Sequence, residues 1–122
     1  MATWLAVWNE TRGERLLGRV RHCASFLCRL RGLTFRRHLG NDEGLLLVGH
    51  REGRADVAIH MFFVFFPIVA VWLDEGGQVV DVRLARPFRP LYVPRALARD
   101  VLEGPQDLLE RVRIGDQLRF GG

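Results

Sequence analysis

Residues 59–74 read "IHMFFVFFPIVAVWLD", and how this stretch is divided decides the fold. Its uninterrupted apolar run, residues 61–73, is about thirteen residues long, short of the ~20 that cross a hydrocarbon layer. Pro67 interrupts it, Asp74 closes it, and its residues are aromatic and β-branched, as in buried strands. A membrane anchor is therefore excluded. Because Pro67 has no N–H for a ladder, the run divides into two strands, 57–64 and 68–73, joined by a bend. In the first, Ile59, Met61 and Phe63 alternate with His60, Phe62 and Val64. Both faces are apolar, which predicts a central strand covered on both sides, with His60 on a covered face.

Working outward, a chain of 122 residues has the length of one domain and needs no staples to bury a core. With 48% hydrophobic and 26% charged residues it has the balance of a globular protein, and 13 Gly with 5 Pro predict many turns. The N-terminal "MATWLAVWNETRGER" lacks the basic and apolar regions of a secretory signal, so a cytoplasmic protein is expected. Cys23 and Cys28, five apart, make no disulfide framework and read as reduced thiols of a cytosolic core.

"TWLAVWN" alternates as a strand, and "ETRGER" turns it toward a second strand at 16–21. Ser25 is a good N-cap for a helix in which Phe26, Leu27, Leu30 and Leu33 recur at helical spacing, with Gly32 as its stop. "LLLVG" is a strand and "HREGRAD" a surface loop. "DEGGQ" joins 71–73 to 79–84 as a glycine-turned hairpin, and "RPFRPLYVP", with three prolines, is an extended loop. Residues 98–102 form a strand, Pro105 opens a helix over 106–112, and 116–120 closes the sheet. The expected fold is mainly β (a β-rich α+β fold): a small single-domain sandwich or barrel of about eight short strands with two short helices.

The succession "RLRGLTFRRHLGNDEGLLLV", "IHMFFVFFPI", "VWLDEGGQVVDV", "ARPFRP", "ARDVLEGP" and "RIGDQL" resembles prokaryotic domain-of-unknown-function family 192 over residues 25–120. The resemblance implies a compact, mostly β single domain and, as the family's name says, no established activity. The family often carries Met-Lys-Asn-Thr, or a His-x-x-x-Met run, before a Pro-Ile/Leu-Asp turn. Here those positions hold Met61, Phe62, Phe63 and Val64, then Pro67, Ile68 and Val69, so the acid after the proline is absent. The acid of the family's "LELP" is kept as Glu103.

The matched positions Arg36, His60 and Glu103 border apolar elements and form the best candidate polar cluster. Buried, each needs partners. As a site, the cluster would recognise a small anion, with Arg36 as the fork and His60 as a second donor. As structure, it would pin the first helix to the sheet, and this reading is favoured. No metal is expected: His22, Cys23, Cys28, His38, His50 and His60 show no zinc-ligand spacing. Ser25 is the only serine and lacks a nucleophile elbow, and no phosphate loop is present, so no cofactor is expected.

All 18 basic residues are arginine, against 14 acids. Clusters at Arg29, Arg31, Arg36, Arg37 and at Arg83, Arg86, Arg89, Arg95, Arg99 are interleaved with Phe35, Phe88 and Tyr92. Arg86, Arg89, Tyr92 and Arg95 are thus candidate anion or nucleic-acid contacts, although a net charge of only +4 weighs against nucleic acid. The leading expectation is a non-enzymatic ligand-binding or interaction module, whose partner is a small anion or a protein. The alternatives are an enzyme on a small anionic substrate using Arg36, His60 and Glu103, and single-strand nucleic-acid binding through the arginine clusters.

Overall fold

The computed structural model describes residues 3–25, 28, 39–55, 57–61, 64–89 and 91–121. The chain is mainly β. Its strands are β1 (Thr3–Asn9), β2 (Glu14–Cys23), β3 (Glu43–Gly53), β4 (Ile68–Leu73), β5 (Val79–Ala85), β6 (Ala98–Gly104) and β7 (Leu118–Gly121), with a one-turn helix α1 (Leu108–Arg111) before β7. They form one curled seven-stranded sheet, a half-barrel, in the order β5-β4-β6-β3-β2-β1-β7. Strands β2 and β3 are parallel, and the other neighbours are antiparallel.

All six residues of β4 are buried. Ile68, Ala70 and Trp72 enter one apolar cluster, on the outer face of the sheet, while Val69 and Val71, with Leu73, enter a second cluster on the inner face. Period-two alternation with apolar residues on both sides requires cover on both sides. The inner cluster is closed by Leu108 and Val112, and the outer one by Val57, Ile59, Met61, Val64 and Tyr92. Arg111 docks α1 onto β2: its guanidinium donates to Glu14 Oε1 (3.0 Å) and to the carbonyls of Leu16 (3.2 Å) and Arg15 (2.8 Å).

The expected central strand at 57–64 is corrected. Among the described residues this segment joins no ladder; Ile59 bridges to Tyr92, and Met61 exchanges backbone hydrogen bonds with the 86–92 loop. It lies over β4 as a cover, held by the Trp72 Nε1–H donated to the Val57 carbonyl at 2.7 Å. A cover strip packed between a sheet and a loop is apolar on both sides too, so its pattern matches that of a central strand. Strand β4 is buried on both faces, and the described residues form seven strands. Phe62 and Phe63 lie outside the described residues. Strand β3 also runs on through His50, Arg51 and Glu52, where a surface loop was expected.

The hairpin between β4 and β5 forms as expected. Asp74 Oδ1 accepts the N–H groups of Gly76 and Gln78, both at 2.9 Å, and Gly77 takes the φ of +85° that the turn requires. Ser25 behaves as an N-cap, its Oγ accepting the Cys28 N–H at 3.2 Å. The body of that predicted helix, including Phe26, Leu27, Leu30, Gly32 and Leu33, lies outside the described residues.

The reading of Cys23 and Cys28 as reduced thiols is overturned, because they form a disulfide. Cys23 is the last residue of β2, not part of a helix, and the bridge crosses only five positions to the capped turn at Cys28. Disulfides belong to oxidising compartments and to intracellular proteins of hyperthermophiles, so these cysteines no longer argue for the cytoplasm. A loop this short should contribute about 2 kcal/mol through the unfolded chain. Urea unfolding of Cys28→Ala, or of the reduced protein, should show that loss, and thiol titration of the denatured protein should find no free thiol before reduction.

Candidate functional site

Glu103 stands in β6 opposite Leu45 of β3 and Ala70 of β4. Residues paired across a ladder share a face, so its carboxyl enters the outer apolar cluster with them. Glu103 is 4% exposed, and its Oε1 has no hydrogen-bond partner. Burial pushes this carboxyl up to about 7, since no opposing charge offsets the lost hydration. His60 is half-buried on the covering segment, and no hydrogen bond joins it to Glu103. Arg36 lies outside the described residues. The expected cluster of three is thus described only in its His60 and Glu103 members.

A cleft of about 450 Å³ opens at the end of β6, lined by Leu39, Asn41, Phe66, Pro67, Pro105, Gln106 and Asp107. Among the described residues that line it are neither His60 nor Glu103, and the charged one is the acid Asp107. Asp107 by itself would repel a small anion there.

The arginine loop divides into used and unused charges. Arg95 donates to the wholly buried Asp81 through its backbone N–H (2.9 Å) and its guanidinium Nη2 (2.6 Å). Burial alone would raise the Asp81 carboxyl, but the Arg95 hydrogen bonds and charge outweigh it and hold it below the usual range. Arg95 is thus matched by a carboxylate. Tyr92 is buried, its hydroxyl accepts the Arg86 N–H at 2.8 Å, and Arg83 and Arg89 lie over its ring at 5.4 and 4.8 Å. Of the four expected contacts, Arg86 and Arg89 hold exposed charge.

One feature of this surface escaped the sequence reading. Phe65 and Phe88 are each 50% exposed and stack edge-to-face, with centroids 5.5 Å apart. Phe88 sits at φ +62°, the left-handed region that non-glycine residues rarely adopt. Two flanking prolines were the only local signal, and they mark a loop without saying which ring faces solvent.

The chain matches the model of the DUF192 family, "Uncharacterized ACR, COG1430", over residues 7–120. It belongs to this family. A UPF0127 protein of Thermococcus kodakarensis is 37% identical over 106 residues, a match that takes in 87% of this chain and 66% of the relative, just under two thirds of its length. A UPF0127 protein of Pyrococcus horikoshii is 34% identical over 114 residues, covering 92% of this chain and 96% of the relative. Two solved structures share the fold. One, from Sinorhizobium meliloti and provisionally assigned as a transcription regulator, has a TM-score of 0.84 at 21% identity, covering 98% of this chain and 94% of that one. The other, of unknown function from Novosphingobium aromaticivorans, has a TM-score of 0.80 at 19% identity, covering 97% and 84%.

Within this DUF192 chain, Val69 occupies the position at which the family pattern carries an acid after the proline. It is fully buried in β4 on the inner cluster, not at the cap of a turn. A carboxylate there would enter an apolar core, so valine carries no structural cost in this chain.

Glu103 has a pH signature. Its folded value of about 7 lies above the ordinary 4.5, so the folded state holds the proton more tightly. Stability should be full below about pH 4.5 and fall as pH rises toward 7, by on the order of 3 kcal/mol. Urea unfolding at pH 5 and pH 8 should show the drop in the wild type and its loss in Glu103→Met. Equal pH dependence in both would mean that the carboxyl is hydrated.

Proposed function

We propose that this chain is a single-domain, non-enzymatic interaction module whose contact surface is the Phe65–Phe88 pair with Arg86 and Arg89. The observation that carries the reading is Phe88. A left-handed backbone at a phenylalanine costs about 1–2 kcal/mol, and here it holds an aromatic ring half in water. The loop is nonetheless anchored: Phe88 N–H donates to the Met61 carbonyl at 2.8 Å, Met61 N–H to Arg89 at 3.1 Å, and Tyr92 exchanges two bonds with Ile59. A strained, exposed ring on a fixed frame is what a recognition loop provides. The partner that fits is a protein segment offering an apolar side chain beside an acid, matched to Phe65, Phe88 and the two guanidiniums.

The enzyme reading finds less support, because neither His60 nor Glu103 is among the described residues that line the cleft. A photo-crosslinking residue introduced at position 65 should give adducts with an acidic partner, and these should vanish in the Arg86→Glu/Arg89→Glu background. Adducts that persist would sink the proposal. The double variant Phe65→Ser/Phe88→Asn, with asparagine suited to positive φ, should melt within about 4 °C of wild type. A larger fall would mean that the rings serve the core instead.

A further inference from the structure

The outer face of the sheet has a second region, away from the cover strip. Leu5 and Val7 pack on the inner cluster, so Trp4, Ala6 and Trp8 project from the outer face of β1. In register, Arg21 stands opposite Trp4, while Arg15 and Arg119 flank Trp8 from β2 and β7. Trp4 is 43% exposed, Trp8 is half-buried, and Arg15, Arg19, Arg21 and Arg119 are exposed. Two guanidiniums lie on the indoles: Arg19 over Trp4 at 4.4 Å, and Arg119 over Trp8 at 4.3 Å.

The acids nearby leave part of this charge unmatched. Glu10 pairs with Arg119 (2.6 Å) and Asp42 with Arg15 (3.6 Å). Glu43, opposite Arg19 in the β2–β3 register, accepts the Gly40 N–H at 2.9 Å. Among the described residues neither Arg19 nor Arg21 forms an ion pair with a carboxylate.

We propose that this β7–β1–β2 face binds single-stranded nucleic acid, independently of the loop surface above. A guanidinium laid flat on an indole is already ordered, and its outer side is a planar cation on which a base can stack as a third layer. Two such stacks are set four residues apart on β1, about 13 Å at the usual rise per residue, or about four base steps of a stacked strand. Ala6 between them leaves a recess, and Arg21 is placed to meet the phosphates. An acidic peptide would use the guanidinium edges but not the repeated stacks, and a duplex keeps its bases inside. The face shares no residue with the Phe65–Phe88 surface, so variants of the two can be tested separately.

The test is titration of the intact protein with a 12-nucleotide oligothymidylate, followed by tryptophan quenching and by anisotropy of a labelled strand. Binding should be saturable at low salt and weaken about tenfold in Trp4→Ala and in Arg19→Ala. Arg21→Ala should reduce the slope of log affinity against log salt by about one. Ile114→Ala, at a distant exposed residue, is the control, and melting curves establish that each variant folds. Arg19→Glu/Arg21→Glu provides a second disruption that leaves both indoles in place and should abolish binding. The proposal is overturned by no binding at low salt, by equal affinity in Trp4→Ala and wild type, by a duplex binding as tightly as the single strand, or by polyglutamate binding more tightly than the oligonucleotide.

Discussion

Strand β4 has no polar side, and the sheet can exist only if both of its faces are covered. On the inner side the curl of the sheet and α1 provide the cover. On the outer side it comes from a strip of chain that belongs to no ladder, and the Trp72–Val57 hydrogen bond fixes where that strip lies. Indole N–H and peptide carbonyl are both buried, so neither can exchange its partner for water without loss. Once Val57 is placed, Ile59 and Met61 fall onto the outer cluster and present their backbone to the 86–92 loop. The geometry of Phe88 is thus a downstream consequence of how one tryptophan is satisfied.

Two acids on the sheet show how context divides one chemistry into two roles. Asp81, on β5 beside the arginine loop, receives a guanidinium and a backbone N–H, remains ionised, and ties the loop to the sheet. Glu103, on an interior strand, is hemmed in by Leu45 and Ala70 and has no donor at Oε1. The first is a fastener. The second withholds stability as pH rises.

Much of the strand pattern was legible, because alternation such as that of 79–84 and 3–9 follows directly from burial on one face. The failure at 57–64 has a physical cause: an apolar strip is equally apolar whether it is a strand within a sheet or a lid upon one, and only the pairing of its backbone distinguishes them. Glu103 could be singled out from its place in the resemblance, but the face that its carboxyl enters depends on registers across β3, β6 and β4. The disulfide was missed because a five-residue spacing does not reveal that Cys23 ends a strand while Cys28 begins a turn. Neither the ring of Phe88 nor the tryptophan–arginine stacks on β1 carries a local signal. One depends on a backbone angle, and the others on neighbours that are distant in sequence.

Strand β7 follows the other described strands in chain order and pairs with the first of them. Until it arrives, the hairpin of β1 and β2 has a bare edge at β1, an invitation to pair with another nascent chain. Arg15, Arg19 and Arg21 of the same hairpin put like charge beside that edge, which disfavours pairing with a second copy. Asn9, at the end of β1, finally bonds Asp116 across 107 positions at 2.8 Å. Closure of the sheet is therefore a non-local step, in which residues far apart in the chain must meet before the β1 edge is covered.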